Sequence, residues 1–471
     1  MRNVGWRPVL IVAAIAAVVH LAVALRYGWH RDELYYVTSG QHPAFGYIDQ
    51  PPLTPLLAAL AGNLFVLRIL AIAAQVGCVL LTAMLAAELG GNRRAQVLAA
   101  GCIAACPVFV GASLLFGTTV LDQVVWIAVF LTTARALRIG TVKAWLVPGL
   151  IAGVGMENKD TVAVLLAGIG IGLLLYRRDV LRTRGPWLAA SLALLVALPN
   201  IVWDFANGWP EFEMAAVLSH RTGGTLGSVV QLVVLALLIA GPPIVGIWVL
   251  GARWLAKGEY RWLLVAAIVT AVVFTLAGGK SYYTAPVLAP LFAAGATRIG
   301  SYEKPSKGWP RAIVVSGVVA IFLTLPILPP SVQTHLRAVD PEPVETYGWP
   351  EFVDQVAQAE KAMPPDTPIF TSNYGEAGAL TMLGGFQNVY SGHNAYGDWG
   401  PPPGTSPTVL CVGEFTADDL KRAWGYVGVI KQISLPDGIQ NEEIVNHATI
   451  YRCQQPRGTW ARMWPELRHL D

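Results

Sequence analysis

Apolar residues in this chain come in long blocks rather than in alternation. Runs near the ~20 residues that cross a bilayer fall at 8–25, 66–87, 96–116, 119–137, 144–156, 161–176, 187–203, 227–251, 261–277, 284–298 and 311–328, eleven in all. Two of them, 144–156 and 161–176, are short and joined by the polar turn Glu157-Asn-Lys-Asp160. Segments that short are expected to stop part-way and leave their ends facing a cavity within the protein. Gly241-Pro-Pro243 predicts a kink inside the eighth run. From residue 329 the pattern changes, with Pro329, Pro330, Pro341, Glu342 and Pro343 reading as a linker. Helix-like stretches (Trp349 to Met363, Thr416 to Trp424) then alternate with strand-like ones (Thr367 to Thr371, Thr408 to Val412, Gly428 to Ile433, Glu443 to Arg452). The expected fold is a polytopic α-helical membrane domain over residues 1–328 followed by a small α/β domain over 329–471.

Composition agrees. The chain is 54% hydrophobic and 13% charged, where a soluble protein carries roughly 25% charged residues. A net charge of +3 gives no reason to expect nucleic acid. Arg2 and Arg7 before the first run resemble a secretory signal, but the run is long and many follow, so a retained first transmembrane helix is expected. Lysine and arginine divide unevenly between alternate loops: eighteen fall on the side of Arg2 and Arg7, five on the other. Cationic loops face the cytoplasm, which puts the N-terminus inside, the α/β domain outside and the protein in the cytoplasmic membrane. Cys411 and Cys453, alone beyond the last run, would then meet an oxidising compartment, and a disulfide between them is expected. Cys78, Cys102 and Cys106 lie in apolar runs as small core residues.

With that orientation the outer helix ends collect the polar chemistry. The first loop carries His30, Arg31, Asp32, Glu33, Tyr35, Tyr36, Tyr47 and Asp49; further ends supply Asp122, Lys159, Trp203, Lys280, Tyr282 and Tyr283. Carboxylates beside a membrane need a polar cavity or a partner charge. Lys159, Lys280 and Arg31 suit a phosphate, the aromatic residues suit a sugar ring or the membrane interface, and a carboxylate can take a proton from an attacking hydroxyl. Other readings stand beside these. Asp122 opens a helix and fits a first-turn role, Asp49 precedes the Pro51-Pro52 start of another, and Lys159 can snorkel from a helix end. Nothing in the sequence requires a metal or another cofactor; His30 and the carboxylates have loose spacing for one.

Read in order, these residues carry a resemblance. Asp32-Glu33, Gly-Tyr-x-Asp-x-Pro-Pro-Leu at 46–53, Asp122 and Asn158-Lys159 form its first half. Pro-Asn-x-x-Trp at 199–203, Asn-Gly-Trp-Pro at 207–210 and Lys-x-Tyr-Tyr-x-x-Pro at 280–286 complete it. The set resembles membrane glycosyltransferases of GT-C fold related to protein O-mannosyltransferases and lipid A aminoarabinose transferases, the glycosyltransferase 39 type. Tyr374-Gly-Glu-Ala-Gly378 and Ser391-Gly-His-Asn394 resemble bacterial members of that group. The resemblance implies transfer of a sugar from a polyprenyl phosphate, outside the cytoplasmic membrane and with inversion. It implies Asp32 as base, Glu33 and Asp122 as accompanying acidic residues, and Lys159 as a donor-phosphate contact. Two positions depart from it. Gln50 stands where many relatives carry Lys or His before Pro-Pro-Leu, leaving Lys280 or Arg31 to replace a phosphate contact. Asp160 follows Asn-Lys where Gly or an aromatic residue is common.

The reading is therefore an inverting glycosyltransferase whose acceptor is a protein, a lipid or a cell-wall glycan, and which has membrane lipid around it. A transporter or flippase of a lipid-linked saccharide is the alternative. It calls for polar residues at the midplane and paired repeats, which the chain does not display.

Overall fold

A computed structural model describes residues 3–221, 223–234, 238–304 and 306–470. Arg2, counted above, and residues 235–237 of the eighth run lie outside them. Over the described residues, every apolar run coincides with a helix or with helices separated by a break. Among the described residues four helices are long and apolar enough to cross a membrane, Trp6–Val23, Leu64–Glu88, Thr118–Ile139 and Gly185–Ala206, and several shorter apolar helices accompany them. Trp6–Val23 shows how such a helix is placed. It buries one stripe, Val9, Ala13, Ala16, His20 and Val23, and exposes Leu10, Ile11, Ile15, Val18 and Leu21. Its apolar residues face outward as well as inward, as lipid allows and water does not. This is a membrane protein.

The breaks have local causes. The third run divides at Cys106, held extended (φ −84°, ψ 121°) by the following Pro107, giving Arg93–Ala105 and Pro107–Ala112. At Gly241 the expected kink is a full interruption: its φ of +82° suits glycine, Pro242 and Pro243 follow, and a helix resumes as Val245–Leu255. That helix touches Leu288–Gly300 backbone to backbone. A Cβ on Gly251 would lie 1.9 Å from Leu291 O, and one on Gly295 1.9 Å from Ile247 O, the small-residue contact that membrane helices use for close approach.

The C-terminal part holds one five-stranded sheet: β1 Ile369–Thr371, β2 Val389–Ser391, β3 Thr408–Gly413, β4 Trp424–Gln432 and β5 Thr449–Pro456. The order is β2-β1-β3-β5-β4, with β2, β1 and β3 parallel and β5 and β4 antiparallel. Side chains alternate across it. Ile369, Leu410, Val412 and Ile450 pack on Val353, Val356 and Leu380, while Phe370, Val409 and Tyr451 pack on Trp424, Trp460 and Trp464. The strand expected from Glu443 begins only at Thr449; Glu442–Val445 is instead a helical turn capped by Asn441.

The disulfide expectation is corrected. Cys411 and Cys453 are buried free thiols on adjacent strands, Cys411 opposite Tyr451 and Cys453 opposite Val409. They are diagonal rather than facing neighbours and serve as apolar core beside Phe370 and Trp424. Burial, then the neighbouring thiol, pushes the Cys411 thiol well above its usual range.

The first loop also folds. Helix Arg31–Gln41 and helix Leu53–Ala61 fill it, and the former joins the two parts of the chain. Its Leu34 belongs to the core under the sheet, and a Cβ on Gly378 would stand 2.8 Å from Leu34 Cβ.

Candidate active site at the seam between helices and sheet

The site begins with the start of helix Arg31–Gln41. His30 caps it: Nδ1 accepts the Asp32 backbone N–H at 3.1 Å, and the Glu33 carboxylate returns to accept the His30 N–H at 3.1 Å, a reciprocal box. Glu33 Oε1 also accepts from Phe116 N at 3.0 Å and from Arg68 Nη1. Arg68 donates to Gly28 O at 2.9 Å and lies 4.3 Å from the centre of the Tyr27 ring. Glu33 and Arg68 are 0% and 1% exposed. Glu33, expected at the chemistry, is not among the residues lining the cavity and ties the helix start to its neighbours.

One residue earlier on the helix the side chain points the other way. The Asp32 side chain is 41% exposed and lines a cavity of about 180 Å³. Its Oδ1 accepts the Tyr374 hydroxyl at 2.8 Å, and Arg31 Nε lies 3.9 Å away. Burial would raise this carboxyl, yet His30, Arg31, the Tyr374 hydroxyl and Lys280 hold it below the usual aspartate value. Asp32 is thus ionised at neutral pH.

Asp49 is presented by the turn Tyr47–Gln50, closed by Tyr47 N to Gln50 O at 2.9 Å. Tyr35 Oη donates to Asp49 Oδ1 at 2.8 Å and Asn394 Nδ2 to Oδ2 at 3.0 Å. Burial, despite these donors, raises the Asp49 carboxyl to about 7. Tyr47 lies beneath, its hydroxyl donating to Ser39 O and His42 O at 2.7 and 3.1 Å, so it buttresses the turn.

Opposite stands the break between the two short helices. Thr54 Oγ1 donates to Asn158 Oδ1 at 2.6 Å, Asn158 Nδ2 to Thr118 O at 3.0 Å, and Leu53 N to Glu157 O at 2.8 Å. So pinned, Lys159 places Nζ 4.4 Å from the Tyr283 ring centre and 5.7 Å from that of Tyr282. It forms no ion pair with a carboxylate among the described residues; burial lowers its pKa and Asp122 works against that. Asp122 is 3% exposed and accepts from Thr161 Oγ1 at 2.8 Å. It is not among the residues that line the cavity. Asp160 also lines the space, and burial together with Glu211 raises it to about 7, which weakens the negative charge next to Lys159.

The cavity therefore gathers Asp32, Tyr35, Tyr36, Asp49, Lys159, Lys280, Tyr282 and Tyr283. The other residues expected here lie elsewhere. Arg31, expected at a phosphate, turns to the C-terminal part and pairs with Glu442, its guanidinium 5.2 Å from the Tyr374 ring centre, and so links the two parts of the chain. Trp203 packs on the first loop, where a Cβ on Gly46 would lie 2.4 Å from Trp203 Cε3. Tyr374 and Asn394 went unassigned in the sequence although their motifs stood out, and both line the cavity. A larger cleft of about 470 Å³ lies among Arg253, Trp254, Lys257, Tyr260 and Arg298, at the opposite helix ends and away from every carboxylate above.

Comparison with solved structures bears on this geometry. ArnT from Cupriavidus metallidurans bound to undecaprenyl phosphate aligns over 94% of this chain and 97% of that one, with a TM-score of 0.60 and 13% identity. The chain has the GT-C fold. The apo state of the same ArnT aligns over the same shares with a TM-score of 0.59 and 14% identity. Residues 49–203 match the family model described as dolichyl-phosphate-mannose-protein mannosyltransferase, a segment of the GT-C framework that includes Asp49, Asp122, Lys159 and Trp203. No curated protein sequence matches the chain. The resemblance read from the ordered motifs is thus shown at the level of fold and of this segment.

Proposed function

We propose that this protein is an inverting glycosyltransferase that moves a sugar from a polyprenyl phosphate to a hydroxyl of a protein, lipid or glycan acceptor. The observation that carries the reading is the cavity itself. An ionised carboxylate, Asp32, and two cations, Lys159 and Lys280, line one small space walled by Tyr35, Tyr36, Tyr282 and Tyr283. The acceptor hydroxyl gives its proton to the free oxygen of Asp32 as its own oxygen attacks the anomeric carbon. The bond from that carbon to the phosphate oxygen breaks, and the electron pair leaves with the polyprenyl phosphate. Lys159 and Lys280 stabilise the departing charge, while the aromatic walls hold the ring in line. Attack opposite the leaving group inverts the anomeric centre.

In the same proposal eleven helices span the cytoplasmic membrane of a bacterial cell envelope, with the N-terminus inside. Residues 329–471 form an extracytoplasmic domain that closes over the outer helix ends. The uneven division of lysine and arginine supports the orientation, and the contact of Tyr374 with Asp32 supports the closure. The structural likeness to ArnT bound to undecaprenyl phosphate supports the choice of donor carrier. Incubating the purified protein with undecaprenyl-phosphate sugars and a mixed acceptor extract should release undecaprenyl phosphate. Movement of the intact lipid-linked sugar across vesicles, without release, would favour a flippase instead.

A further inference from the structure

A second cluster of acidic groups lies in the C-terminal part, apart from the cavity. Glu376 opens helix Tyr374–Met382, Glu414 follows β3, and Glu443 sits in the turn Glu442–Val445. One oxygen from each lies within 4.8 Å of the others. The outer oxygens are accounted for. Glu376 Oε2 accepts from Ser372 N, Ser372 Oγ and Asn373 N at 2.9, 2.7 and 3.1 Å, and Glu414 Oε2 accepts from Asn446 Nδ2 at 3.0 Å. The remaining four are not: Glu376 Oε1, Glu414 Oε1 and both oxygens of Glu443 are buried without a partner. Glu376 and Glu443 are 0% and 1% exposed. The charge of Arg31 reaches Glu414 and Glu443, but its guanidinium is already bound to Glu442. Burial first, and then neighbouring carboxylates, raises all three: Glu414 and Glu443 act on Glu376, Glu442 on Glu414 (to about 7), and Glu345 on Glu443 (to about 8).

Buried acceptors left empty in this way are costly, and several converging at one point call for a shared positive partner. We propose that Glu376, Glu414 and Glu443 bind a divalent cation of the calcium type. The donor set is oxygen alone, which suits hard cations and not zinc or copper. Oxygens on opposite sides of Ca²⁺ at about 2.4 Å stand roughly 4.8 Å apart, so three oxygens within 4.8 Å of one another are close enough to share one ion. Water completes the shell through the half-buried side of Glu414. The site joins three elements that hold the seam. Glu376 is two residues from Tyr374, the donor to Asp32, and Glu443 follows Glu442, the partner of Arg31. A cation here stiffens the support of Tyr374 over the cavity, whatever reaction the cavity performs.

The test uses full-length protein in detergent, stripped with a chelator and titrated with CaCl₂ by calorimetry and by thermal unfolding. Binding of one Ca²⁺ is expected, with a rise in midpoint of at least about 3 °C at a concentration far above Kd. Glu443→Gln removes a charge from a crowded site, so its metal-free midpoint should equal or exceed that of the parent protein while the response to Ca²⁺ disappears. If that variant fails to fold, Glu414→Gln, at the open side, serves in its place. Absence of both heat and thermal shift in the parent protein would overturn the proposal. So would an unchanged Ca²⁺ response in the variant, or tighter binding of Mg²⁺ than of Ca²⁺.

Discussion

The sharpest separation of structure from chemistry comes from Glu33, the neighbour of Asp32. Replacing it with Gln keeps its shape but discharges a carboxylate that accepts from Arg68, Phe116 N and His30 N. One of those donors then meets an NH₂ group, and the Arg68 guanidinium, 1% exposed, is left without its counter-charge. Removing one partner of a buried ion pair costs about 3–5 kcal/mol. At roughly 2 °C per kcal/mol, the low end for larger domains, the unfolding midpoint should fall by about 6–10 °C. Arg68→Met should cost a similar amount. The double variant should cost clearly less than the two together, because each single change already removes the shared interaction. Thermal unfolding of the four proteins in one detergent, read by tryptophan fluorescence, supplies the cycle. In protein that remains folded, donor affinity should stay within about threefold of the parent value, as expected for a side chain outside the contact region. An unaltered midpoint together with lost turnover would refute this assignment and return Glu33 to the chemistry.

Lys159→Ala should weaken the binding of a polyprenyl-phosphate donor by about 10-fold or more, the scale of a charge-assisted contact. Arg at 159 should restore part of it; an unchanged donor Kd in the Ala variant would remove the phosphate role. Tyr374→Phe deletes the hydroxyl that accompanies Asp32 Oδ1 at 2.8 Å. Because that hydrogen bond helps to hold the Asp32 carboxyl down, the acid limb of the rate profile should move to higher pH, whereas an unmoved limb would uncouple the pair. Asp49, raised to about 7, favours the fold fully below the ordinary aspartate pKa, and that contribution is lost as pH rises through about 7. Asp49→Asn should therefore gain in unfolding midpoint over the parent protein between pH 5 and 8. A constant gap between the two would count against the buried, neutral form.

The apolar runs were readable because length and hydropathy are local properties, and over the described residues each run proved to be largely helical. Where helices break was legible only in part. The Gly241-Pro-Pro243 signal was visible, but the interruption at Cys106 depends on a single Pro107 in a run that otherwise reads as continuous. Side-chain direction was the larger gap. Asp32 and Glu33 are adjacent letters, yet successive helix positions point about 100° apart, which sends one to the cavity and the other to Arg68. Arg31 illustrates the same gap at long range, since Glu442 lies 411 residues away. No spacing rule links them. Tyr374 and Asn394 belong to motifs that stood out in the sequence, but their meeting with Asp32 and Asp49 arises only when the sheet docks on helix Arg31–Gln41. The acidic triad behind Tyr374 comes from three separate elements, and only Glu376 falls within a motif, Tyr374-Gly-Glu-Ala-Gly378.

The central claim is that the Asp32 carboxylate takes the acceptor proton. Asp32→Asn tests it most directly, since the amide oxygen still accepts the Tyr374 hydroxyl and the cavity keeps its shape. The measurement is single-turnover release of undecaprenyl phosphate from a bound donor, with donor affinity determined on the same preparation. Donor affinity should persist while release slows by about 100-fold or more, the usual scale for losing a general base. Release at close to the parent rate, with the donor still bound, would contradict the mechanism.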